Sequence, residues 1–225
     1  MLRTGPASYT LPVVFHIVLQ NPSAVTDAQI QQQLVVLNKA FAAENDQSDL
    51  VAGFRSRVGT TGIAFCLAQR TPNNLPSTGI VRYTTTRSSF DAQSDDVKLS
   101  ARGGADAWDP TRFVNVWITS LQNGILGIGS FPGVDEMRFQ GIVISTISLP
   151  GSTNSHFNGG KTLVHETGHF FNLYHIWGDD DGACTGSDDI EDTPNQADAT
   201  NGSLTGVQTD ACTTTAPGIM YQNYM

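Results

Sequence analysis

The sequence predicts an α+β, or mixed α/β, layer followed by a smaller loop-rich part. Three observations predict this. Several β-branched apolar runs have strand length, two stretches carry apolar residues at three-to-four spacing, and the last fifty residues show neither pattern. With 225 residues, 39% apolar and 8% aromatic, the chain suits one large domain or two small ones and is ample for a sizeable core.

TLPVVFHIVL (10–19) reads as the first strand. His16 falls inside it with no other ligand type for company, which makes it a structural histidine. VTDAQIQQQLVVLNKAFAAEN follows, with Ile30, Leu34, Leu37 and Phe41 on one helical face. Thr26 can cap that helix, and Gln29, three residues on, completes a capping box. GIAFCLAQR (62–70), FVNVWITSL (113–121) and QGIVIST (140–146) read as further strands, separated by Gly-, Ser-, Thr- and Pro-rich loops. KTLVHETGHFFNL (161–173) is the second helix. No internal repeat or low-complexity linker divides the chain, and the boundary with the irregular part falls near His175.

Charge narrows the partners. The net charge is −9, yet all twelve basic residues lie at or before Lys161, and ten of the 21 acids follow it. Nucleic acid is an unsuitable partner for such a surface, because phosphate contacts need Lys and Arg. No run approaches the ~20 apolar residues of a membrane span. The start, MLRTGPASYT, lacks the basic and apolar regions of a signal peptide.

Three cysteines allow one bridge. Cys66 sits in an apolar run and reads as a buried free thiol. Cys184 and Cys212 lie in loop-like sequence, where a bridge closing about 28 residues would stabilise by roughly 3–4 kcal/mol. Such a bridge implies an oxidising compartment.

The chemistry concentrates in TLVHETGHFFNLYHIWGDDD (162–181). His165 and His169, four apart, share a helical face and can both reach one zinc ion. Glu166 is offset by about 100° and comes to the edge of that site, the position of a general base acting on a metal-activated water. His175 is too far along for the same face, so the helix must stop and the chain turn back. Asn172 stands where a left-handed residue is needed for that turn. Three neutral imidazoles leave an open position, the catalytic type of zinc site.

HETGHFFNLYH resembles the extended metzincin zinc signature HExxHxxGxxH, with Asn172 in place of the usual Gly. LYHIWGDD, DDIEDTPNQ, LPVVFHIVL, TGIAFCLAQR, GGADAWDP, FVNVWI and ILGIGSFPG extend the likeness to the pappalysin branch over nearly the whole chain. The resemblance implies a metzincin-like catalytic domain: a twisted mixed sheet, a backing helix and an active-site helix above an irregular lower subdomain. On that pattern residues 1–175 form the upper subdomain, ending at the third zinc ligand, and 176–225 the lower one. It also implies a Met-turn beneath the zinc, for which Met225 fits better than Met220. The family continues past this methionine with a tyrosine, an acidic stretch, a cysteine and a helix. The chain stops at the methionine, which leaves the oxyanion-steadying tyrosine and part of the primed-side pocket without a counterpart and reads as a truncation.

Residues 179–192 hold seven acids without EF-hand spacing. The resemblance places a calcium loop there, with Asp188, Asp189, Asp192 and Thr193 as ligands, and calcium takes such hard oxygens. The alternative is a solvated acidic loop. The functional expectation is a secreted zinc endopeptidase acting on protein or peptide substrates, with a pro-segment outside this chain. GILGIGSFPG would form the upper rim of its cleft as an edge strand. Two other readings remain open: a zinc-binding interaction module that has lost turnover, and a non-proteolytic zinc hydrolase, for which no small-molecule pocket is evident.

Overall fold

The eleven residues of β1 (Tyr9–Leu19) form the spine of the sheet, long enough to pair with three other strands. In the computed structural model, which describes residues 8–134 and 136–225, the first half of β1 pairs in parallel with β2 (Ile63–Leu67) and the second half with β3 (Ile80–Thr84). Along its other side runs β4 (Val114–Thr119), also parallel. The sheet continues through β6 (Ile142–Ser145), parallel to β4, to the antiparallel strand β5 (Gly127–Gly129) at its end.

Alternation along the strands builds two cores. Val13, Phe15 and Ile17 of β1 join Val114, Val116 and Ile118 of β4 on one face, which both helices cover. Helix α1 (Asp27–Phe41) contributes Ile30 and Leu37, and helix α2 (Lys161–Phe170) contributes Leu163 and Val164. The capping box of Thr26 and Gln29 is present at the start of α1. On the opposite face Val18, Trp117 and Val143 pack against Phe90, Val97 and Ala105 from the loops.

His16 points to that second face and is fully buried. Its Nε2 lies 2.9 Å from Asn115 Oδ1, and its ring stacks on Trp117 at 5.2 Å. Burial pushes its pKa down to about 4, against the smaller opposing pull of the Asn115 hydrogen bond. Cys66 overturns its expectation. It is a free thiol and exposed, because β2 lies at the sheet edge and alternates: Phe65 turns into the helix-covered core while Cys66 faces out. The run around it is apolar on both faces, but the fold leaves the outward face open at Ala64 and Cys66.

Past His175 the described chain has no helix or strand and contributes few buried side chains, mainly Ile176, Ile219 and Met225. Other bonds hold it. Cys184 and Cys212 are bridged. The Asp180 carboxylate accepts backbone N–H groups from Ala183, Thr185 and Gly186, which lowers its pKa, with the Gly186 bond the largest contribution.

Candidate active site

Helix α2 presents its histidines through its sequence and its ending. Gly160, at the N-terminal boundary, has φ 72°, and its carbonyl accepts the Gln33 side-chain amide at 2.8 Å, tying α2 to α1. The helix ends in a Schellman turn. Leu173 N–H donates to Gly168 O at 3.0 Å, and Asn172 N–H donates to His169 O at 2.8 Å. Asn172, with φ 70°, is the left-handed residue that turns the chain back.

That reversal brings His175 to the helix face. His175 Nε2 lies 3.1 Å from His169 Nε2 and 3.3 Å from His165 Nε2. The other ring nitrogens are all engaged. His165 Nδ1 meets the backbone carbonyl of Tyr224, His169 Nδ1 that of Leu173 at 2.9 Å, and His175 Nδ1 both Asp179 oxygens at 2.9 Å. Each partner only accepts, so every Nδ1 carries the proton and every Nε2 keeps its lone pair. Three lone pairs then face one point.

Such an arrangement repels itself unless a cation occupies that point. Tetrahedral ligation at 2.0–2.1 Å puts nitrogen ligands about 3.3 Å apart, close to the spacing seen. Among the described residues these three form the only His, Cys, Asp or Glu group close enough to hold an ion. Burial lowers the pKa of His165 and of His169, which keeps both neutral and able to ligate.

Glu166 sits under β5. Its carboxylate accepts the Gly129 N–H, and the bare Cα of Gly127 makes room for it: a Cβ there would lie 2.9 Å from Glu166 Oε1. Burial pushes its pKa up to about 8, and the Gly129 N–H opposes that only in part. β5 pairs with β6 on one side, and no described strand covers its other edge.

Below the triad the chain end packs closely. Met225 is buried, and a Cβ added at Gly168 would collide with its Sδ. Met220 is less buried. A cavity of about 180 Å³ opens beside His165, walled by Trp177, Gln196, Thr200, Tyr221 and Tyr224 among others.

Family comparison agrees with this geometry. The profile of the pregnancy-associated plasma protein-A peptidases matches residues 99–225. An extracellular metalloprotease of Pyricularia oryzae is 31% identical over all of this chain and 69% of its own length. The chain belongs to this metallopeptidase family. A second extracellular metalloprotease, from Arthroderma gypseum, is 29% identical over 92% of the chain, which spans only 61% of that protein. Mature mirolysin of Tannerella forsythia in complex with a cleaved peptide superposes with a TM-score of 0.93 at 39% identity, over 97% of this chain and 83% of that one. A promirolysin mutant from the same organism gives 0.94 at 38%, over 98% and 74%. The fold is therefore the mixed α/β metzincin-like one, and its histidine triad is the family's zinc site.

The proposed calcium ligands are not gathered in the same way. Asp188 is buried, and its Oδ1 accepts the Ile190 N–H at 3.1 Å, whereas Asp189 and Asp192 are exposed. Among the described residues no three carboxylates of this loop approach within ion-holding distance of one another. Asp179, the first acid of this acidic segment, is bound instead to His175. The four-residue spacing from His175 was the signal for it.

Proposed function

We propose that the chain is the catalytic domain of a secreted zinc endopeptidase that cleaves peptide bonds in proteins or peptides. One observation carries the reading: three lone-pair nitrogens converge beside a buried carboxylate. His165, His169 and His175 would hold the zinc. Bound there, zinc supplies Lewis acidity toward a substrate carbonyl and toward water.

The chain's own groups do the rest. Glu166 accepts a proton from the attacking water at its carboxylate and returns it to the leaving amine. The free edge of β5, directly above Glu166, pairs with an extended substrate backbone and holds the scissile bond in place. Met225 acts as the Met-turn residue supporting the helix from below. In this reading residues up to His175 form the upper wall of the cleft and 176–225 the lower. Secretion fits the Cys184–Cys212 bridge and the extracellular relatives. A pro-segment outside this chain fits the longer promirolysin.

Calcium is the further ion we propose, at the loop carrying Asp188, Asp189, Asp192 and Thr193. Its support is electrostatic: the segment packs seven acids, and no basic residue follows Lys161.

The test is cleavage of a quenched fluorescent peptide by the zinc-loaded chain. Cleavage should stop on chelation and return with zinc. A zinc-loaded, folded chain that cleaves no peptide would support a zinc-binding module instead.

A further inference from the structure

Phe131 and Tyr174 form an aromatic pair on the cleft rim, beside the buried ring of His169. The Phe131 ring lies 5.0 Å from that of His169 and stacks on Tyr174 at 5.3 Å with an interplanar angle of 20°. Tyr174 is 43% exposed, although a tyrosine this large usually finds cover. Neither ring is needed to close the core, since neither belongs to the hydrophobic clusters behind the sheet. Both are placed by elements already fixed for other reasons. Phe131 comes two residues after Gly129 of β5, and Tyr174 immediately follows the turn that swings His175 into place.

This surface lies on the His169 side of the triad, whereas the cavity of about 180 Å³ opens on the His165 side. An extended substrate following β5 past Glu166 would therefore meet the aromatic pair on one side of the scissile bond and the cavity on the other. We propose that Phe131 and Tyr174 are specificity-determining residues: a shelf that receives an aromatic or large apolar substrate side chain on the side of the scissile bond away from the cavity. The proposal rests on the endopeptidase reading and deepens it. The stacked pair offers ring surface for apolar and stacking contact, so it favours a Phe or Leu side chain over a small one.

A peptide series tests it, with a single Phe moved through three positions on each side of a fixed scissile bond in a small-residue background. In the unaltered protein, Phe at one position on the shelf side should raise kcat/KM about three- to tenfold, the scale of one aromatic contact. Tyr174→Ala and Phe131→Ala should each abolish that gain, while Tyr174→Phe, which keeps the ring, should retain it. Any gain from the cavity side should persist in all three variants, which also reports that they fold. If no position's gain responds to either alanine variant, the shelf is excluded and the endopeptidase reading stands. If zinc-loaded protein cleaves none of the peptides, the endopeptidase reading falls and the shelf falls with it.

Discussion

His175 Nδ1 stands 2.9 Å from each carboxylate oxygen of Asp179, so an exposed acid four residues downstream sets the tautomer of the third histidine. The Trp177 ring stacks on the same imidazole at 4.1 Å and limits its rotation. His175 is carried by a loop, unlike His165 and His169, and it depends most on such outside support.

Removing that support should weaken metal binding. Asp179→Ala is expected to lower zinc affinity about 10- to 100-fold, the usual effect of losing a partner behind a ligating histidine. Asp179→Asn, which keeps an accepting oxygen, should lose less. Competition with a chromogenic chelator measures both. Equal affinity in all three proteins would show that Trp177 and the loop suffice.

His16 predicts an acid limit on stability. The unfolded chain takes up its proton near pH 6.5, but the folded protein, with this ring buried, does so only near pH 4. The unfolded state therefore binds more protons in that window. The stability associated with a neutral His16 is complete above about pH 6.5 and falls as pH drops toward 4, by about 3 kcal/mol in all. Urea unfolding across pH 7.5 to 4 should show a steeper loss in the unaltered protein than in His16→Gln. Parallel curves would contradict this.

Gly168 predicts a coupling. Alanine normally favours a helix interior by about 1 kcal/mol over glycine. Here the added Cβ meets Met225 Sδ, so Gly168→Ala should destabilise by about 1–2 kcal/mol net. Paired with Met225→Ala the clash disappears, and the two effects should be non-additive by more than about 0.5 kcal/mol. Additive losses in thermal melts would show that the methionine moves aside freely.

These residues also show what the sequence makes legible. The zinc site was, because ligand spacing on a helix is fixed by 3.6 residues per turn and Asn172 marks the reversal. The longer strands and both helices were, because they are buried and strongly periodic. Strand β3 was not: IVRYT is short, half polar and only partly buried, and it forms because β1 is long enough to pair beyond β2. The outward face of Cys66 depends on which side of an edge strand the helices cover, which no local pattern records. Phe131 lies in the segment read as the cleft rim, but its approach to His169 is a tertiary contact that no local pattern records.

Calcium should stabilise the fold if the acidic loop binds it. At calcium a hundredfold above its dissociation constant the melting temperature should rise by about 5–10 °C. Magnesium should substitute poorly, because it demands tighter octahedral geometry. Asp188→Asn should reduce the shift. A melting temperature indifferent to calcium, after stripping with a calcium-selective chelator, would leave a solvated loop already satisfied by bonds such as those of Asp180.

The central claim is the division of labour between the histidines, which hold zinc, and Glu166, which moves the proton. Glu166→Gln preserves the size and hydrogen-bonding reach of the side chain and removes only its basicity. Zinc content and peptide cleavage measured on the same preparation test the claim directly. Zinc should remain near one per chain while kcat falls by at least about a hundredfold, and by up to about ten-thousandfold. Cleavage at the unaltered rate with zinc still bound would contradict the assignment of Glu166.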